Sequence, residues 1–369
     1  MEYTVNRQAL AAALSRVGAI IESRNTIPIL SNILITARKG ELRIEGTDLD
    51  MSAQETIRDG VNVIEEGSTT VSAKSISDIV RKLEGETVAF QEKDGRLELR
   101  AGRSQFKLHT LKPDDFPVLG DFEPTAEFSL TGEDIRKGLQ RVRQAMSTDE
   151  TRYYLNGVHF HIDEGKLHVV ATDGHRLSIA RIDNTPDISS LNNLIVPRKA
   201  VGELLRNLNA NDGEIELAFN ATRMRARIGD LTFISKLIDG TYPDYERVVP
   251  NSGRVKIHVD SEQLQNAIER VRVIASERTS AVRMDIEEEI LKLSVRSPEN
   301  GLAEDEVAAA INGDVKATPT ISFNGRYMTE LLGTLEGEIV IEINDANSPM
   351  KFTAADRPDD RHVLMPMRS

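Results

Sequence analysis

His159 and His161 stand two residues apart, with Asp173 and His175 a short way downstream, and no other grouping in the chain invites an enzymatic reading as much. A His-x-His pair on a strand puts both imidazoles on one face, where a carboxylate could complete a zinc-type hydrolytic site. A metal-dependent hydrolase using His159, His161 and Asp173 is therefore one reading. No Ser-His-Asp order, phosphate loop or zinc signature accompanies it. The absence of cysteine excludes disulfides and thiolate chemistry and suits a reducing compartment. Thr172-Asp173 also recurs as Thr47-Asp48, where no histidine follows, so the aspartate reads as a turn feature and the histidines as hydrogen-bonded side chains. The expectation is no catalytic residue, no metal and no cofactor.

Basic side chains offer a different chemistry. The net charge of -13 argues against nucleic acid as a partner, because phosphate binding depends on basic surface. Its distribution argues the other way. Six expected helices (7–18, 74–84, 132–146, 198–209, 261–278 and 325–335) together carry about +7, leaving about -20 for the rest of the chain. A basic helical surface on an acidic body focuses positive field on one side.

The helices that present those charges belong to a repeat. Val5 to Val17 returns as Leu130 to Val142 and as Val259 to Val271. Leu10, Leu14, Arg16 and Val17 become Ile135, Leu139, Arg141 and Val142, then Leu264, Ile268, Arg270 and Val271. Apolar residues at i, i+4 and i+7 make one helix face, and Asn6, Thr131 and Asp260 are suited to cap its start. The 125-residue offset of the first two copies continues through Thr47 and Thr172, and on to Leu83 and Leu208. A repeat this long is a domain, which divides the 369 residues into domains at 1–121, 126–251 and 254–369. Each domain reads as strand, helix and alternating strands, twice over, an α+β plan. Phe116-Pro117 and Tyr242-Pro243 mark the junctions. No apolar run has the roughly 18 residues of a membrane span, so the expectation is a soluble, cytoplasmic protein with no membrane partner.

Along its whole length the sequence resembles the bacterial DNA polymerase III beta subunits, the sliding clamps. The likeness rests on Thr26-Ile27-Pro28-Ile29-Leu30-Ser31-Asn32, Arg152-Tyr153-Tyr154-Leu155-Asn156-Gly157, Ala171-Thr172-Asp173-Gly174-His175-Arg176-Leu177 and Val196-Pro197-Arg198-Lys199, with Tyr242-Pro243-Asp244-Tyr245 and Met365-Pro366-Met367-Arg368. The resemblance implies a DNA-clamp fold and a head-to-tail homodimer closing a six-domain ring, helices lining the channel and sheets outside. It implies a processivity factor of the polymerase holoenzyme that encircles duplex DNA irrespective of sequence. Its implied partners are the replicative polymerase's catalytic subunit, the clamp loader, and other polymerases, ligase and mismatch-repair proteins bearing clamp-binding peptides.

The same resemblance implies a peptide cleft between the second and third domains at Arg152, Tyr154, Leu155, Thr172, Gly174, His175, Arg176, Leu177, Pro243, Arg247, Val248, Asn324, Tyr327, Val363, Leu364, Met365, Pro366, Met367 and Arg368. The apolar members would make its floor, and the two methionines an adaptable wall. DNA-facing candidates are Arg24, Arg136, Lys137, Arg141, Arg143, Arg198, Lys199, Arg206, Arg270 and Arg272, with Tyr153 and Tyr154 at the rim. Such helix-borne cations contact phosphates without reading bases. Asp149 and Glu150, just before Arg152, weigh against DNA contact by that loop. The implied dimer interface sets Phe106 and Leu108 on an edge strand against Val273 and Ile274, and Arg103 and Lys107 against Glu304-Asp305-Glu306. The competing class is a monomeric peptide-binding adaptor that never meets DNA.

Overall fold

The computed structural model describes the chain except residues 23–25, 187, 189–190, 192–193, 209–212, 277–279, 315–319 and 368–369. Arg24 and Arg368 lie outside the described residues. The described helices are α1 (Arg7–Gly18), α2 (Ala73–Lys82), α3 (Gly132–Val142), α4 (Arg198–Asn207), α5 (Ser261–Arg272) and α6 (Gly325–Leu332). They start where capping residues stand. Asn6 Oδ1 accepts from the backbone N–H of Gln8 and Ala9, Asp260 Oδ1 from that of Gln263, and Asn324 Oδ1 from those of Arg326 and Tyr327. Several stop earlier than the periodicity predicts: α3 tightens to a 3-10 turn at Arg143–Ala145, and α5 ends at Arg272.

The strands fall into two compact units that do not follow the repeat. One unit holds residues 1–133 and 202–237, the other 134–201 and 238–369. The first contains a 13-stranded sheet, in which Leu231–Lys236 of the second repeat pairs antiparallel with Met51–Ile57 of the first. The second contains a nine-stranded sheet, in which Arg176–Arg181 of the second repeat pairs with Arg357–Leu364 of the third, and a separate four-stranded sheet. The second repeat is thus shared between two sheets. Repetition in sequence records local periodicity, whereas pairing joins strands from different copies.

Within each unit the helices cover one face of the strands. In Met51–Ile57 every second residue is buried, which is the period of a pleated strand facing a core. Leu10, Leu14 and Val17 of α1 are fully buried, each contributing about 1.5–3 kcal/mol from apolar burial. Leu264, Ile268 and Val271 repeat that face on α5, in a core with Val282, Leu293 and Phe352. Helix α3 approaches its strands closely at Gly138, where a Cβ would overlap Ile182 Cδ1. Strand edges are left open in both units. Among the described residues, Ser104–Leu111 meets Gly67–Ser72 only through Thr110 and Leu111, and Gly301–Ala308 pairs on one side only.

Candidate functional site

The turn after Lys166–Thr172 organises one end of the second unit. Thr172 Oγ1 donates to Arg176 O (2.7 Å) and accepts from Gly174 N, while Asp173 Oδ1 accepts from the N–H of His175 and Arg176. Gly174 has φ +88°, a left-handed conformation that glycine adopts without steric cost. A Cβ there would also stand 2.7 Å from Arg152 Nη1, so the missing side chain makes room for that guanidinium. Arg152 is held by Asp149 (3.0 Å), whose carboxyl lies below its ordinary pKa through hydrogen bonds from the Thr151 hydroxyl and N–H and then from Arg152. Asp149 is thereby committed to the 3-10 turn Glu150–Leu155, which it also caps.

Arg176 leaves the turn inward and is 8 % exposed, so its charge must be met inside. Asp173 (3.1 Å) and Glu330 (2.6 Å) meet it, and its guanidinium lies 4.3 Å from the centroid of Tyr327, a cation–π contact. Burial pushes Glu330 up, but hydrogen bonds from Arg326 and Arg176 outweigh it and hold the carboxyl below its ordinary range. Met365 and Met367 are laid onto this framework by backbone bonds, Met365 N to His175 O (2.9 Å) and Met367 N to Ser322 O (2.7 Å).

Between these parts lies an apolar floor. Leu155, Val170, Leu177, Ile179, Ile195, Tyr242 and Val363 form one buried cluster, with Leu177 directly opposite Val363 across the strand pair and Tyr154 packed at its margin. Pro243, Arg247, Val248 and Met365 are exposed around it, Val248 at 50 % and Met365 at 38 %. The 3-10 turn Tyr245–Val248 is fixed by a bidentate pair from Arg361 to Glu246 (2.9 and 2.7 Å) and by Tyr245 Oη against His161 Nε2 (2.9 Å). An apolar floor with an unbranched, adaptable methionine and a proline at its rim suits short peptides with apolar side chains. Of the expected cleft residues, Arg152, Tyr154, Leu155, Thr172, Gly174, His175, Arg176, Leu177, Tyr327, Val363 and Met365 are joined by these contacts, whereas Leu364 is fully buried in the α5 core, Asn324 caps α6 and Arg247 pairs with Asp244 (2.7 Å). The supporting roles of Asp149, Asp173, Glu330, Tyr242, Glu246 and Arg361 are not expected from sequence, although the repeated Thr-Asp pair and the Tyr242-Pro243 motif single out Asp173 and Tyr242.

The metal reading loses its geometry. His159 is buried with its ring stacked between His161 (4.9 Å) and Tyr242 (4.7 Å). Asp173 is spent on its turn and on Arg176. Burial, and then the neighbouring His168, push His161 down to about 4. Among the described residues no group of three or more His, Asp or Glu is placed to hold a metal ion.

The DNA-facing set divides. The repeated arginine pairs with a strand carboxylate in every copy: Arg16 with Glu55, Arg141 with Asp360 (3.5 Å) and Arg270 with Asp305 (2.5 Å). Arg141 has an 18 % exposed side chain, and Arg272 Nη1 donates to Thr329 Oγ1 (2.8 Å). Both are half-buried with a partner inside the chain, so they offer less surface to phosphate than the exposed members of the set. Arg270 remains 60 % exposed beside its partner, and Arg206 is exposed beside Glu203. Arg136 bonds Gln140, and Arg198 donates to Met146 O (2.6 Å). Lys137, Arg143 and Lys199 are exposed, and Tyr153 is exposed with its ring edge-on to Tyr154. Of the expected interface residues, Phe106, Lys107, Val273, Glu304 and Glu306 are exposed, Leu108 is half-buried and Ile274 packs against its own core. Lys107 pairs with Glu98 (2.5 Å) and Asp305 with Arg270, so both already have partners within the chain.

Three family models match the chain: the DNA polymerase III beta subunit N-terminal domain over residues 1–120, its central domain over 129–244 and its C-terminal domain over 246–368. Beta sliding clamps of Pseudomonas aeruginosa and Escherichia coli K12 are each 35% identical, over 372 and 370 residues, with all of both chains covered. Among solved structures, the Bartonella birtlesii sliding clamp bound to griselimycin is 37% identical with a TM-score of 0.94. The Pseudomonas aeruginosa polymerase III beta subunit is 34% identical with a TM-score of 0.93, and each covers the full chain. Three consecutive domain matches and full-length likeness in sequence and fold place this chain in the family of DNA polymerase III beta subunits, the sliding clamps that serve the polymerase as non-catalytic processivity factors in DNA replication.

Proposed function

We propose that two copies of the chain, each of three domains near 1–121, 126–251 and 254–369, close head to tail into a ring around duplex DNA in the bacterial cytoplasm. The ring tethers the replicative polymerase, and in turn the clamp loader, other polymerases, ligase and mismatch-repair proteins, through peptides seated on the floor of Leu155, Leu177 and Val363. The observation that carries this reading is that floor, rimmed by exposed Val248 and Met365. Ring closure uses the open edges: Arg103 and Phe106 on one copy facing Val273, Glu304 and Glu306 on the other. The DNA-facing residues are Arg136, Lys137, Arg143, Arg198, Lys199, Arg206 and Arg270, with Tyr153 near the rim. Their phosphate contacts are screened and nonspecific, so the ring slides while its closure prevents release.

A chain ending at Leu364 tests the cleft. It lacks the wall made by Met365 and Met367, so binding of a polymerase-derived clamp-binding peptide falls by about a hundredfold while the dimer persists. Unchanged peptide affinity would refute the cleft, and a monomer that still binds peptide would favour the adaptor.

A further inference from the structure

The joint between Arg176–Arg181 and Arg357–Leu364, which floors the peptide cleft, has an internal counterpart in the first unit: the joint between Met51–Ile57 and Leu231–Lys236. There the linker Phe116–Asp121 runs beside the strands, and a cavity of about 410 Å3 lies between them. That size is within the range of small-ligand sites, roughly 300–1,000 Å3. One wall is a cross-strand row. Glu45 is opposite Gln54, Gln54 opposite Thr232 and Thr232 opposite Arg227, three inter-strand steps or about 14 Å. A second cation, Arg43, lines the same space. The linker wall is apolar, with Phe116 mostly buried and Val118 58 % exposed, and Ile234, two residues from Thr232 on the same strand, adds a mostly buried apolar side chain to the sheet face.

The charges are only partly used. Arg43 pairs with Glu45 through Nε (2.9 Å) and Nη2 (3.3 Å), and Arg227 with Glu216 through Nη1 (2.7 Å). A guanidinium has five N–H donors in a fixed fork, so each arginine keeps donors for a further acceptor. Asp121, also on the lining, is bound by Arg225 (2.6 Å), whose side chain is 6 % exposed and which is held in turn by Glu127 and Glu216. Gly120 O, next to it, accepts from Arg223 Nη1 (2.9 Å). The far end of the linker is therefore anchored. Val118 and Leu119 make no backbone hydrogen bond among the described residues, so their N–H and C=O groups remain available.

We propose that this cavity is a second ligand site, which takes an extended peptide segment carrying an acidic side chain next to an apolar one. The carboxylate meets Arg43 and Arg227, the apolar side chain lies against Phe116, Val118 and Ile234, and the segment's backbone bonds the linker. Four fully extended residues reach about 14 Å, which matches the row from Glu45 to Arg227. Both flanking strands are paired on each side, so the segment lies across the sheet and adds no strand to it.

The test titrates the full-length, methyl-labelled protein with the blocked tetrapeptide acetyl-Val-Asp-Val-Ala-amide and with its Asn analogue. The methyl signals of Val118 and Ile234 are expected to move saturably with Kd about 1 mM, while those of Val248 and Val363 in the peptide cleft stay in place. The Asn peptide should bind about tenfold more weakly, and so should the Asp peptide to Arg227→Gln. Val118→Glu, an exposed substitution compatible with folding, should repel the carboxylate to a similar degree. No saturable movement at about 20 mM, equal binding of the two peptides, or movement confined to Val248 and Val363 would overturn the proposal.

Discussion

The two strand joints share a plan and differ in chemistry. Thr172, Leu177 and Val363 stand in one row of the second unit, and Thr47, Ser52 and Ile234 in the matching row of the first. In the next row, Val170 and Ile179 correspond to Glu45 and Gln54. Even the turns agree. Asp48 Oδ1 accepts from the N–H of Asp50 and Met51 as Asp173 does from those of His175 and Arg176, and Thr47 Oγ1 reaches Met51 O at 2.7 Å, as Thr172 Oγ1 reaches Arg176 O. The backbone is thus indifferent to what the floor holds. An apolar floor with a glycine that admits Arg152 suits apolar peptides, and a polar floor with two arginines suits a different ligand.

Transferring one floor into the other has the largest expected effect. Leu177→Ser with Ile179→Gln copies the first unit into the second, and each change should cost about 2–5 kcal/mol in urea unfolding and remove peptide binding. Retained peptide affinity in a folded double variant would break the link between floor and function. Acid distinguishes the joints next. Burial holds His161 and His362 neutral down to about 4, while an unfolded histidine titrates near its ordinary 6.5. The unfolded chain therefore binds protons that the folded chain refuses. Stability falls as pH drops from about 6.5 toward 4, by at most about 1.4 kcal/mol per pH unit for each histidine. The matching positions in the first unit are Thr36 and Phe233, so hydrogen exchange should show acid loosening at the second joint and not the first.

Gly174→Leu copies Leu49, which already holds φ +77°. It should cost about 1–3 kcal/mol, displace Arg152 and weaken peptide binding about tenfold, as titration would show. Glu246→Gln is the mildest change. The Arg361 pair is partly exposed, so stability should change by less than about 1 kcal/mol. Peptide affinity should still drop about threefold as the Tyr245–Val248 turn loosens. An affinity loss without a stability loss identifies Glu246 as a positioning residue.

Much of this was legible in sequence because it is local. Asn6 and Asp260 announced their helices, Leu10, Leu14 and Val17 their buried face, and the repeated Thr-Asp pair its turn. What sequence hid is distance. Nothing near Arg141 foretells Asp360, and nothing near Arg16 foretells Glu55, so arginines suited to phosphate by type proved to be bound to strands far along the chain. The joints were hidden for the same reason. The resemblance names the cleft candidates, but nothing beside Arg176 in the sequence foretells Glu330.

Encirclement, as proposed, holds DNA by topology and not by affinity for its surface. The most direct measurement compares retention of the loaded protein on nicked circular DNA with retention on the same circle cut once. Encirclement gives persistence on the circle and rapid loss from the ends of the linear form. Equal retention on both would contradict encirclement and leave ordinary surface binding in its place.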